Sequence, residues 1–230
     1  MAGKTQKAKQ TVYFAVIGDL VESRKIADRR QFQQYFMETL GNLNSEFAQY
    51  IASKFTVTTG DEFQGVLNDA SSICHLMDSI IAGLYPRKLR FGIGVGGLNT
   101  ALNPELSVGA DGPAYWAARS AIEYIHDHND YGSSRIYLQS AVGGQTALIN
   151  TALAANSLIL EGWRDTQMEV LQALIRSGLY GLNYEQVKLA EQMKLSPAAL
   201  QKRIKGSGIN IYLRNGAAIS EAIHQLGRAA

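Results

Sequence analysis

The chain is predicted to be an α+β protein: a mostly antiparallel sheet with helices on one face, followed by a small all-α helix-turn-helix domain. Three observations predict this. Short apolar runs rich in β-branched residues alternate with longer stretches of helical periodicity up to about residue 150. Two of the runs are joined by the turn "TTGD", which is too short for a parallel crossover, so they must pair antiparallel. Beyond that point helical patterning dominates.

"TVYFAVIGDL" (11–20) is a continuous apolar run ending in Gly-Asp and reads as a buried strand. "DRRQFQQYFMETLGNLNSEFAQYI" (28–51) has apolar residues at 32, 35, 36, 40, 43, 47 and 50 or 51, the spacing of one long amphipathic helix with Asp28 near its start. "KFTVTTGDEFQGVL" (54–67) reads as strand, tight turn, strand. "DASSICHLMDSIIAGLY" (69–85) is again helical, with Asp69 and Ser71 as candidate caps. "LRFGIGVGGLNT" (89–100) is a glycine-laced strand, "GPAYWAARSAIEYIHDHN" (112–129) a helix and "SRIYLQS" (134–140) a short strand. This order suits a sandwich of the ferredoxin-like or palm kind. The small, polar "SAVGGQTALIN" (140–150) holds the expected boundary. The expected organisation is a flexible tail at 1–10, a sheet domain at 11–150 and a helical domain at 151–230.

Composition narrows the class. The net charge of +2 suggests neither a polyanion binder nor an acidic tail. Residues 1–150 carry 13 basic and 14 acidic side chains, whereas 151–230 carry 9 and 6, so the C-terminal third is mildly basic. Cys74 is the only cysteine, which forbids an intrachain disulfide and fits a reducing cytoplasm. No apolar run approaches the roughly 20 residues of a membrane helix. The opening "MAGKTQKAKQ" lacks the apolar stretch of a signal peptide. A cytoplasmic protein with no membrane partner is expected.

Asp19 ends the first strand and Asp61 sits in the following hairpin turn. Neighbouring strands lie about 5 Å apart, so both acids can emerge at one sheet edge. Two carboxylates placed so repel unless a cation lies between them. Hard oxygen ligands favour Mg²⁺, with the Leu20 carbonyl as a further donor. Two such ions could support phosphoryl transfer at a triphosphate. The plainer reading is turn chemistry at strand ends. Glu62 either supports the site or points away. "GIGVGG" (92–97) matches G-x-G-x-x-G but runs into a loop, not a helix, so it is not a dinucleotide fingerprint. Its glycines imply close backbone approach, to a nucleotide or to another element. Arg119 could meet a phosphate and Tyr115 could stack on a base, or the two could be a solvated arginine and a core aromatic. His126 and His128, with Asp127 and Asp130, suggest a metal cluster, but residues at i and i+2 do not share a helix face.

"YFAVIGDLVESRKI", "ASKFTVTTGDEFQGVL", "LYPRKLRFGIGVGGLNTALNPELSVGADGPAYWAARSAIEYI" and the C-terminal helical block together resemble the SatD family. The first three blocks also resemble, more distantly, the palm domain of class III nucleotidyl cyclases and GGDEF proteins. That likeness implies two Mg²⁺ or Mn²⁺ ions on a nucleoside triphosphate, held at Asp19, Leu20 and Asp61. It implies nucleotide contacts at Gly60, Glu62, Gly94, Gly96 and Tyr115, a catalytic phosphate-contacting arginine at Arg119, and a site shared across a homodimer. Tyr115 stands where the cyclases carry a ribose-orienting asparagine, and no base-reading lysine–aspartate pair is evident.

"NYEQVKLAEQMKL" reads as a short amphipathic helix. "SPAALQKRIKGSG" follows, with Ser196 at the N-cap and Pro197 at the first helical position. Two short helices joined by a tight turn, the second capped and basic, form the helix-turn-helix pattern, and the block resembles that of bacterial regulators. Ser196, Gln201, Lys202, Arg203 and Lys205 would contact double-stranded DNA, over a small core of Ala190, Leu195, Ala198, Leu200 and Ile204. The alternative is a helical bundle for dimerisation with those charges solvated. The expected function is a regulator in which a metal–nucleotide site is coupled to DNA binding. The alternatives are an active nucleotidyl cyclase or nucleotidyltransferase using ATP or GTP, and a non-catalytic adaptor.

Overall fold

Alternation along the first strand sets the architecture. In the computed structural model, which describes residues 11–128 and 134–228, β1 (Tyr13–Leu20) lies at the centre of a five-stranded sheet. Successive strand side chains point to opposite faces. Phe14 and Val16 therefore enter one apolar core, and Ala15 and Ile17 another on the far side. The expected tail at 1–10, and Asp130 of the histidine–aspartate cluster, lie outside the described residues.

After a single 3-10 turn at Ser23–Lys25, α1 (Arg29–Glu46) begins at Asp28, whose side chain accepts from the Gln31 amide at 2.9 Å. The helix ends before the expected residue 51. Asn44 pairs with both backbone groups of Phe55, and the following residues open into β2 (Ile51–Thr59). β3 (Glu62–Leu67) returns antiparallel. Then come α2 (Ile73–Leu84), β4 (Leu89–Gly96), α3 (Pro113–His128) and β5 (Ile136–Ser140). The sheet order is β2-β3-β1-β4-β5. All neighbours are antiparallel except β4 and β5, which run parallel with α3 as their crossover.

The helices do not lie on one face, as expected, but on both. α1 and α2 cover the face of Phe63, Phe91 and Ile93, whereas α3 lies on the other, against Ala15, Ile17 and Val66. The cause is the glycine run in β4. Gly92, Gly94 and Gly96 alternate with Phe91, Ile93 and Val95 and all face α3. A Cβ on Gly94 would lie 1.9 Å from the Ala114 carbonyl oxygen, and one on Gly92 2.3 Å from that of Ala118. The α3 backbone rests directly on these glycines, a seat that only a missing side chain provides.

The chain continues as α4 (Thr146–Glu161), α5 (Asp165–Arg176), α6 (Gln186–Gln192), α7 (Pro197–Ser207) and α8 (Ile209–Arg228). These helices share the larger core with the sheet: Leu153, Leu171, Leu174, Ile219 and Ile223 belong to the same buried cluster as Phe14 and Ile73. Buried polar contacts reinforce the join. The Cys74 amide donates to Ser220 Oγ at 3.1 Å, and Tyr180 and Tyr212 both donate to Asp78. Among the described residues no helix is long and apolar enough to cross a membrane.

Candidate functional site

Three adjacent strands place charge side by side at one end of the sheet. Asp19 on β1 stands opposite Glu62 on β3 and opposite Arg90 on β4. All three follow the alternation that sends Ala15 and Ile17 toward α3, so they share that face. Because the glycines let α3 come close, its flank reaches them. Arg119 donates to both carboxylate oxygens of Glu62, at 2.6 and 2.9 Å. Seven residues on, two helical turns along the same face, His126 Nε2 lies 2.7 Å from Asp19 Oδ2. Arg90 approaches the same oxygen at 3.5 Å.

The electrostatics follow from these pairings. The hydrogen bonds from Arg119 hold the Glu62 carboxyl below its ordinary range against the opposing effect of burial, and Glu62 in turn raises Arg119. Thr58 Oγ1 adds a 3.2 Å contact to Glu62. Asp19 is less completely satisfied. Its Oδ1 is buried and has no hydrogen-bond partner among the described residues. A buried carboxylate oxygen without a donor costs free energy.

The two acids expected to share a metal engage different protein partners in this structure. Asp61 accepts a hydrogen bond from Ser23 Oγ, in a small recess lined by Ile26, Arg29 and Phe32. Its backbone stays close, for the Leu20 amide donates to the Asp61 carbonyl at 3.1 Å. Gly60 holds the turn with φ of 51°, a left-handed conformation that glycine adopts without strain. Among the described residues no group of three His, Cys, Asp or Glu side chains gathers to hold a metal ion. The donors suit a hard divalent cation by chemistry, with Asp19 Oδ1 buried and unpaired among the described residues, and Asp61 would have to exchange Ser23 for the ion.

Other expected contacts are corrected. Gly94 and Gly96 face the α3 backbone, so the room they leave is filled by the helix and not by a nucleotide. Tyr115 is 6% exposed and donates to the Ser107 carbonyl at 3.1 Å, which makes it a core residue and not a stacking platform. Sequence reasoning misses Arg90 and reads His126 only within a histidine–aspartate cluster, yet both sit at the centre of the site. Arg90 is set by strand register, which the sequence does not display. His126 carried a usable signal, its spacing of seven from Arg119.

At the C-terminal end, α6 and α7 pack through Leu189, Ala190, Leu200 and Ile204, all buried. Ala198, expected in that core, is exposed. Ser196 caps α7 by accepting from the Ala199 amide at 3.2 Å, with Pro197 at the first position. Lys202, Lys205 and Gln201 are exposed, the last bonded to Gln186. Arg203 does not join them. It turns back onto α5, pairing with Glu169 at 2.5 Å.

The architecture is thus that of a mixed α+β protein with a five-stranded sheet and eight α-helices among the described residues. The model of the SatD family matches residues 13–223, and the chain belongs to the SatD family. A search of curated proteins gives no match.

Proposed function

We propose that the protein is a regulator whose sheet domain, of the cyclase-like palm kind, binds a nucleotide through a divalent cation and whose helix-turn-helix contacts DNA. The observation that carries this reading is the charge array at the sheet end: Asp19 with an unsatisfied buried oxygen, ringed by Arg90, Arg119 and His126. Without ligand, Asp19 and Glu62 are paired with protein cations and Asp61 with Ser23. On binding, Mg²⁺ or Mn²⁺ would take Asp19 and Asp61, and the released Arg90 and Arg119 would turn to phosphate oxygens, for which guanidinium geometry is suited. The strand order β2-β3-β1-β4, with α1 and α2 as its connections, supports the palm reading.

Binding is favoured over turnover. Tyr115, at the position that would orient a ribose, is committed to the core. The capped, lysine-bearing α7 supports the DNA arm.

Thermal unfolding tests the site. ATP, GTP, CTP and UTP, each with Mg²⁺ or Mn²⁺, are added to wild type, Asp19→Asn and Asp61→Asn. A ligand that binds only the folded state raises Tm by mass action. The expected result is a rise with at least one nucleotide that both variants lose. A wild type that shifts with none of the eight combinations overturns the reading and leaves the adaptor alternative. A cyclic or oligomeric product would replace it with the enzymatic one.

A further inference from the structure

On the opposite side of the sheet from Arg90 lies a second recess. Its neighbours in β4, Leu89 and Phe91, form the floor together with Ile136 of β5. Met168 of α5 and Trp163 of the α4–α5 corner close the far wall. Its volume is about 190 Å³. Leu89, Phe91, Ile136 and Met168 are all buried, so the interior is apolar. An apolar cavity of roughly 150 Å³ holds one benzene ring, which sets the scale of the occupant.

The mouth is charged. Glu161 receives Lys88 Nζ at 2.7 Å on one carboxylate oxygen and Arg135 Nε on the other. Two cations therefore face a single carboxylate, and Arg87 adds a third to the lining, so the rim carries an excess of positive charge. Lys88 has three donors and Arg135 five, and Glu161 engages one of each. The carboxyl of Glu161 is held below its ordinary range by these contacts despite burial, so it stays ionised and does not compete as a donor. An apolar floor beneath a rim of excess positive charge is complementary to a ligand with one small ring and a negative head group.

We infer that this recess is a binding site for a small aromatic monoanion, its ring against Ile136 and Trp163 and its carboxylate at Lys88 and Arg135. The site is independent of the nucleotide reading. It touches both halves of the molecule, for Trp163 donates to the Ser207 carbonyl at the end of α7 at 2.7 Å and packs on Tyr212 at 5.0 Å. An occupant would therefore press on the helix that carries the exposed lysines.

Trp163 reports on the site once Trp116, the other of the two tryptophans, is removed. Full-length Trp116→Phe protein is titrated with benzoate, benzyl alcohol and benzylamine at constant ionic strength, into the millimolar range expected of such small ligands. Saturable change in Trp163 emission is expected in the order benzoate, then the alcohol, then the amine. Lys88→Gln and Arg135→Gln should each weaken benzoate about tenfold, the loss of one hydrogen bond between charged groups. Lys88 is more than half exposed, so its replacement tests the head group without endangering the fold. No saturable change with any probe overturns the site. Equal response to benzoate and benzyl alcohol, or wild-type affinity in both variants, overturns the anion.

Discussion

Tyr212 donates a 2.5 Å hydrogen bond to Asp78 across 134 residues of sequence, and Tyr180 donates to the same carboxyl at 2.7 Å. Asp78 lies on α2, beneath the sheet, whereas Tyr212 belongs to α8 and Tyr180 to the loop between α5 and α6. The carboxyl is 3% exposed. Burial pushes it up to about 7, although both hydroxyls act to lower it.

A pH dependence follows. In the unfolded chain Asp78 returns to its ordinary 3.8. A group raised on folding favours the protonated folded state, so its stabilising effect is complete below that value and is lost as pH rises toward 7. His75, stacked on Tyr180 at 3.9 Å, acts oppositely. Burial pushes it down to about 4, so its protonation in the unfolded chain costs stability below its ordinary 6.5. The two trends overlap and flatten the raw profile. Asp78→Asn isolates one of them: urea midpoints should show the advantage of wild type over the variant shrinking between pH 4 and 7. A constant difference would refute the assignment.

Glu62 and Arg119 form the best-defined ion pair of the candidate site. The Arg119 side chain is 44% exposed, so solvent screens the pair and a coupling of about 1 kcal/mol is expected from a double-mutant cycle with Glu62→Gln and Arg119→Gln. The carboxyl is depressed on folding, so the contribution is present above its ordinary 4.5 and lost as pH falls through the folded value. Urea unfolding at pH 7 and in acid would reveal this.

Two glycines should respond in opposite directions to alanine. Gly94→Ala would drive a methyl into the Ala114 carbonyl, a clash that neither backbone can relieve, and should cost about 3 kcal/mol or more. Gly41, inside α1, has open space where a methyl would stand, with nothing within 4 Å. Gly41→Ala should stabilise by about 0.5–1 kcal/mol through helix propensity. Denaturant midpoints of the two proteins decide both.

The basic helix can be dissected in the same way. If α7 meets DNA, replacing Lys202 and Lys205 by glutamine should lower the slope of log K against log salt by about one for each phosphate no longer engaged. Arg203→Gln should leave that slope alone and instead loosen α7 from α5, because its partner is Glu169. A gel-shift series over salt separates the two roles.

Much of the sheet is legible in the sequence because strand alternation and the "TTGD" turn are local signals. The side on which α3 packs is not. It follows from glycines whose purpose, backbone approach by a helix, looks the same in sequence as approach by a nucleotide. The Asp19–Arg90 pairing depends on register between strands some seventy residues apart, and the sequence records no register. Asp61 is readable as a turn residue, yet its side chain answers to Ser23, a partner that exists only once the chain after β1 folds back. The α6–α7 pair is readable from Ser196 and Pro197, whereas Arg203 is easily misread because an exposed helix face and a contact with α5 both accept arginine.

The core that runs unbroken from Phe14 to Ile223 has a consequence for the molecule's history and handling. Near the end of α8, a methyl on Gly227 would already fall 2.5 Å from the ring of Phe14, at the start of β1. The last helix and the first strand are thus mutual scaffolds. The C-terminal helices should melt together with the sheet in one transition, and a shortened chain ending near residue 150 would present the apolar side of α2 to water and associate. The two halves of such a protein are not parts that can be exchanged separately.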